Sequence, residues 1–297
     1  MPAPVALLAY VAALGLIAGA ASPLVFALLH RTGFTGASAQ DVNARVLEIA
    51  AVVLIVPLLA VLGGGGLRAW GVPSSGRPWR RAGQGALLGI ASLAPVCAIL
   101  FLLDVRVMRV DLVADPQLWI ATIAAAAASA VVVALKEELF FRGGLFTALT
   151  RAGGAVLALW AGAAVYAAAH FLIAPAALAG APPRSGFHVL GQALGAVPQI
   201  ANLDSFLALL CAGLVLGVAR LRDGDIALCL GIHFGWVLTI KLFKKLTYVS
   251  DLAPMRVLAG RYDDVIGWLA ALALAALALA LWRWLPAARD ARPGTAA

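Results

Sequence analysis

A chain of 297 residues that is 63% hydrophobic and only 12% charged, with a mean hydropathy of +0.98, lies outside the range of soluble domains. Its net charge of +8 is scattered through short loops between apolar runs. Such charge sets membrane topology, which excludes nucleic acid as a partner. Cys97, Cys211 and Cys229 stand alone in apolar runs and read as small packing residues, not as disulfides or metal ligands.

A membrane span needs roughly 20 apolar residues to cross about 30 Å of hydrocarbon. Eight segments meet or approach that length: 3–29, 46–62, 85–103, 118–135, 155–173, 203–218, 226–243 and 265–285. Backbone polar groups in lipid must be satisfied within the segment, so each is predicted to be a helix. The expected fold is all-α, a polytopic transmembrane bundle of about eight spans forming a single integral membrane domain over 1–297.

Along the chain, Ala37-Ser38-Ala39 imitates a signal-peptidase site. The preceding run has no basic residue and exceeds a signal core of about 7–15 residues, so a retained first helix is expected. The linker 68–84 reads as an exposed basic loop. The stretch 174–202 carries Pro175, Pro182, Pro183, Pro198, Gly180 and Gly186, which argue against one continuous helix. A surface loop is expected there, with a re-entrant segment through Phe187, Val189 and Leu190 as the alternative. Residues 286–297 read as a short disordered tail. An even number of spans puts both termini on one side, taken as cytoplasmic, although Lys and Arg divide almost evenly between the two faces.

The chemistry concentrates in three places. Lys136-Glu137-Glu138-Leu139-Phe140-Phe141-Arg142 puts two carboxylates at the end of the fourth apolar segment. Ionisable groups at membrane depth are costly and usually functional. On a helix, Glu138 and Arg142 are four apart and can pair, which leaves Glu137 about 100° away, facing the bundle interior. A solvated helix end with Lys136 and Arg142 snorkelling is the plainer alternative. His170 and His233 lie in the fifth and seventh segments, where a hydrogen-bonded core histidine is the competing reading for each. Three such costs in one bundle suggest a shared polar cavity. A proton-coupled transporter is a further alternative, but neither an internal repeat nor matched broken helices stand out.

These residues resemble the CPBP family of membrane proteases, the CAAX-processing and bacteriocin-processing enzymes also called Abi proteins. Its Glu-Glu-x-x-x-Arg signature is matched by Glu137, Glu138 and Arg142. Its aromatic-x-x-x-His signature is matched by Tyr166 and His170, with Tyr for the usual Phe. Its third, His-x-x-x-Asn or Asp with Trp just before, is matched by His233 and Trp236 but has Val237 at the Asn position. The resemblance covers roughly 118–243, which it marks as the catalytic core.

The resemblance implies a glutamate-dependent intramembrane endopeptidase. Glu137 and His170 would orient and deprotonate a water, and His233 would stabilise the developing oxyanion, a task the Asn normally shares. Val237 has no donor, so Trp236, Thr239 or Asn202 is expected to substitute, with Tyr166 in support. An inactive member acting as a scaffold or immunity factor is the alternative that Val237 motivates. No cofactor is expected; a zinc version of the site would use Glu137, His170 and His233. The expected partners are the lipid bilayer and a membrane-associated protein or peptide substrate: a C-terminal sorting tail, a leader peptide or a CAAX-like end. The Ala- and Arg-rich composition points to a bacterial inner membrane and to sorting or leader segments over prenylated ends.

Overall fold

The computed structural model describes residues 2–33, 36, 39–62, 66, 68–73, 77–109, 116–171, 187, 191, 195, 202–250 and 252–285. Its main helices are α1 (Ala3–Arg31), α2 (Ala39–Val61), α3 (Pro78–Leu102), α4 (Pro116–Glu138), α5 (Phe146–His170), α6 (Leu203–Asp223), α7 (Ala227–Leu246) and α8 (Trp268–Trp284). Each coincides with most of one of the eight apolar segments, with ends shifted by up to nine residues. The fold is an all-α polytopic bundle. Six helical runs are long and apolar enough to cross a membrane, and one of them, Trp119–His170, is a 52-residue run that contains both α4 and α5. The 17 residues of α8 form a shorter apolar helix. The stretch 174–202 and the tail 286–297 lie outside the described residues, save Phe187, Gly191, Gly195 and Asn202. The ring of Phe187 occupies the place a Cβ on Gly19 of α1 would take.

Polar groups inside the apolar layer are satisfied locally, as lipid requires. Pro23 interrupts the hydrogen-bond ladder of α1. Close by, Ser22 Oγ donates to the Ala18 carbonyl at 2.5 Å, and Asn43 of α2 donates to Ser22 Oγ at 3.0 Å. Tyr10 donates its hydroxyl to the Ala51 carbonyl, tying the same two helices together at a second level.

Two helices form the axis of the molecule. α6 buries Ala208, Ala212, Val215, Leu216 and Ala219, and its Gly213 lets the backbone of α5 approach at Ala163. α7 lies along α3 with glycines on both sides of the seam. A Cβ on Gly85 or Gly89 of α3 would strike the α7 backbone at Leu228 or Ile232, and one on Gly231 or Gly235 of α7 would strike α3 at Ala82 or Ala86. Small residues four apart on both helices bring the backbones into contact, the usual basis of tight helix pairing in membranes. That seam fixes the rotation of α7, and with it the direction of His233. Large apolar side chains such as Leu24, Leu87, Ile120, Val132 and Leu272 remain exposed on the outer faces, as expected of helices solvated by lipid.

One end of the bundle carries an antiparallel pair of three-residue strands, β1 (Arg106–Met108) after α3 and β2 (Thr247–Val249) after α7, paired Arg106 with Val249 and Met108 with Thr247. Arg106 is buried there. It donates from Nε to Thr247 Oγ1 at 2.8 Å, from Nη2 to the Thr247 carbonyl at 2.9 Å, and from Nη1 to the Asp264 carbonyl at 3.2 Å. Burial lowers the pKa of this guanidinium, while Asp264 and Asp263 pull it back up. The clamp holds the loop before α8 against the ends of α3 and α7.

Candidate active site

The alanine-rich α4 delivers Lys136, Glu137 and Glu138 on its last turn. Lys136 turns outward to an ion pair with Glu48 of α2. Glu138 is fully buried, 0% exposed. From Leu139 to Leu145 the helix widens into a π-helix, a form often found at functional sites. Gly143 and Gly144 sit in this turn, where Trp70 and Ile55 press close to the backbone. Arg142 is buried within the same turn and donates from Nη1 to Glu138 Oε1 at 3.2 Å. The pair expected from an α-helical spacing therefore forms, but across a π-helix. Arg142 Nη2 also reaches the Gly213 carbonyl of α6 at 3.3 Å, so the ion pair is anchored to the central helix.

His233 projects from the middle of α7 onto both glutamates. Its Nδ1 lies 2.7 Å from Glu138 Oε1, and its Nε2 lies 3.8 Å from Glu137 Oε2. A carboxylate only accepts, so Nδ1 carries a proton and the ring orientation is set by Glu138. His170, the last residue of α5, bonds from Nδ1 to the Tyr166 carbonyl at 2.8 Å. A carbonyl likewise only accepts, which leaves His170 Nε2 as the lone-pair nitrogen of the neutral ring.

Tyr166 is the hub between these groups. Its ring packs edge-on to His170 at 4.6 Å, to Phe141 at 5.1 Å and to His233 at 6.2 Å between centroids, and the Arg142 guanidinium lies over it at 4.4 Å. Glu137, Glu138, Arg142, Tyr166, His170 and His233 thus converge from α4, the π-helix, α5 and α7.

Of the expected substitute donors, two are otherwise engaged. Trp236 lies beside His233, 6.5 Å between ring centroids, but gives its indole N–H to Ser92 Oγ of α3 at 2.8 Å. Thr239 gives its hydroxyl to the Gly235 carbonyl. Asn202 stands at the start of α6 without a side-chain cap bond, and among the described residues no hydrogen bond joins it to the cluster. Sequence reasoning missed Tyr262, whose ring sits 6.0 Å from that of His170 and 5.4 Å from that of Phe171. Burial pushes its phenol up to about 12, with Asp263 and Glu137 adding to the rise. No local signal marks it, since it falls in a polar loop well beyond the third motif.

Two buried carboxylate oxygens in the cluster, Glu137 Oε2 and Glu138 Oε2, have no hydrogen-bond partner among the described residues. A metal would be one way to satisfy them. Among the described residues, however, no three His, Cys, Asp or Glu side chains converge as a metal-binding group.

The fold and the cluster define an integral membrane protein with an acid–imidazole site buried among its helices. Residues 119–239, about two-fifths of the chain, match the family model described as Rce1-like, type II CAAX prenyl endopeptidase Rce1-like, in keeping with the resemblance to the CPBP proteases. The family is one of CAAX-type intramembrane proteases. The matched segment runs from within α4 to within α7 and contains the first two signatures and the third without its Asn. No curated protein and no solved structure matches the chain.

Proposed function

We propose that this chain is an intramembrane endopeptidase whose Glu137 and His170 activate water against a peptide bond of a membrane-associated protein. One observation carries the reading: Glu137 Oε2 is buried, has no hydrogen-bond partner among the described residues and lies 3.8 Å from His233 Nε2, while the neighbouring Glu138 is held by Arg142 and His233. A carboxylate costs several kcal/mol at such a depth, so one without a hydrogen-bond donor is a functional group by default. Glu137 accepts a proton from the attacking water, with the lone pair of His170 Nε2 as its partner in orienting that water. The hydroxide oxygen bonds to the scissile carbonyl carbon as the C–O π bond opens. The resulting oxyanion accepts from His233 Nε2, which donates when the ring holds both protons, with Glu138 fixing the other nitrogen. Collapse breaks the C–N bond, and the proton taken from water leaves with the amine.

The site is read as metal-free. The substrate is a C-terminal sorting tail, a leader peptide or a CAAX-like end, and the Ala- and Arg-rich composition supports a bacterial plasma membrane. Val237 favours a second reading, a catalytically silent member acting as a scaffold. Purified protein in proteoliposomes separates them. A panel of internally quenched peptides is offered: a farnesylated C-terminal CAAX-type peptide, a hydrophobic sorting-tail peptide and a leader peptide. Cleavage of any one at a defined bond, identified by mass spectrometry, supports the peptidase. No turnover above protein-free liposomes for any of the three favours the scaffold.

A further inference from the structure

We infer that Tyr262 donates its phenolic O–H to the reaction's oxyanion, supplying from the loop before α8 the donor that α7 lacks; the inference rests on the peptidase reading above. Val237 lies one turn after His233 on the same face of α7 and has nothing to donate. Its two neighbours with donors have committed them, Trp236 to Ser92 and Thr239 to Gly235. Tyr262 reaches the cluster at His170. Its ring meets His170 edge-on at 6.0 Å and 76°, and the residue as a whole is 37% exposed, at the border between the cluster and the outside. Its backbone N–H is bonded to Ser205 Oγ at 3.4 Å, while among the described residues its hydroxyl has no acceptor.

The loop that bears it is rigid, as an oxyanion donor requires, because such a donor contributes only if it needs no reorganisation during the reaction. Asp263 Oδ1 accepts from the backbone N–H groups of Val265 at 3.0 Å and Ile266 at 2.7 Å. Both of those side chains are buried. Gly260 takes φ +76° where a Cβ would strike Ser205 Oγ and the backbone at Ile266 and Gly267, and Arg106 holds the Asp264 carbonyl from beneath. The phenol, pushed up to about 12, stays protonated and able to donate at neutral pH. The alternative is an aromatic cover that only shields His170.

The test uses full-length protein in proteoliposomes and whichever quenched peptide of the panel above is cleaved fastest. Four proteins are compared: wild type, Tyr262→Phe, Tyr262→Phe combined with Val237→Asn, and Glu137→Gln. Tyr262→Phe keeps the ring and its contact with His170. It is expected to lower kcat about 10²-fold with KM within about twofold, the loss typical of one missing oxyanion donor. Val237→Asn places an amide one turn from His233 and is expected to recover about tenfold of that loss in the Tyr262→Phe background; a cover for His170 would not be rescued in this way. A Tyr262→Phe enzyme at the wild-type rate, or one slowed without rescue, overturns the assignment while Glu137→Gln still abolishes cleavage. Equal rates in all four proteins overturn the peptidase site and the Tyr262 assignment together.

Discussion

Glu138 Oε1 receives two partners at once, His233 Nδ1 at 2.7 Å and Arg142 Nη1 at 3.2 Å, and thereby joins the π-helix to α7. In the proposed mechanism the second glutamate of the motif is a positioning residue. It fixes the tautomer and direction of His233, as hydrogen-bonded partners of functional histidines commonly do. Glu138→Gln is expected to lower kcat by about 10–100-fold while KM holds, since substrate contacts are untouched. Steady-state kinetics of the purified variant check this split.

Tyr166 contributes through its ring. Its edges meet both histidines and its face carries Arg142, whereas the His170 bond goes to its backbone carbonyl. Tyr166→Phe is therefore expected to retain nearly full activity. Tyr166→Ala leaves a cavity under both imidazoles and is expected to cost about 3–5 kcal/mol of stability, the usual range for truncating a buried aromatic. Thermal unfolding in detergent, measured beside activity, distinguishes the two variants.

The α3–α7 seam is expected to tolerate no side chain. A Cβ on Gly231 would run into the Ala82 carbonyl, so Gly231→Ala forces the helices apart at a cost of about 1–3 kcal/mol. His233 lies two residues away and moves with α7. A lowered unfolding midpoint together with a reduced kcat is the expected outcome.

Most of the bundle was legible because lipid leaves few options for long apolar runs. The acid and imidazole residues were legible for the related reason that charge at that depth is costly without a purpose. The turn from Leu139 to Leu145 reads as ordinary helix in sequence, since nothing in residue type distinguishes a π-helix from an α-helix. The glycine pairs 85/89 and 231/235 are visible as a spacing, yet which helices they join depends on tertiary packing. Whether Trp236 donates to the site or to Ser92 depends on the rotation of α7, which those glycines set. Tyr262 reaches His170 from a loop that Arg106, from a strand more than 150 residues earlier, helps to hold in place.

Alkaline pH offers a further check on Tyr262. Its folded pKa is raised from 10.0 to about 12, chiefly by burial. A raised value means that the neutral phenol is favoured in the folded state. The associated stability is therefore fully present below pH 10 and is lost as pH rises through about 12. Tyr262→Phe is expected to flatten that part of the curve of unfolding midpoint against pH.

Metal removal tests the chemistry of the donor set. Without a cluster of three ligands among the described residues, exhaustive dialysis against a chelator is expected to leave the cleavage rate unchanged. A rate that collapses and returns with zinc would assign Glu137, His170 and His233 as ligands instead.

The most direct measurement is the single-turnover cleavage rate of Glu137→Gln in proteoliposomes, with folding verified by an unchanged unfolding midpoint. The substitution keeps the side chain's shape while removing its charge and its ability to take a proton. Loss of a general base predicts a fall of at least about 10²–10⁴-fold. A folded Glu137→Gln protein that cleaves at the wild-type rate would contradict the role assigned to this carboxylate.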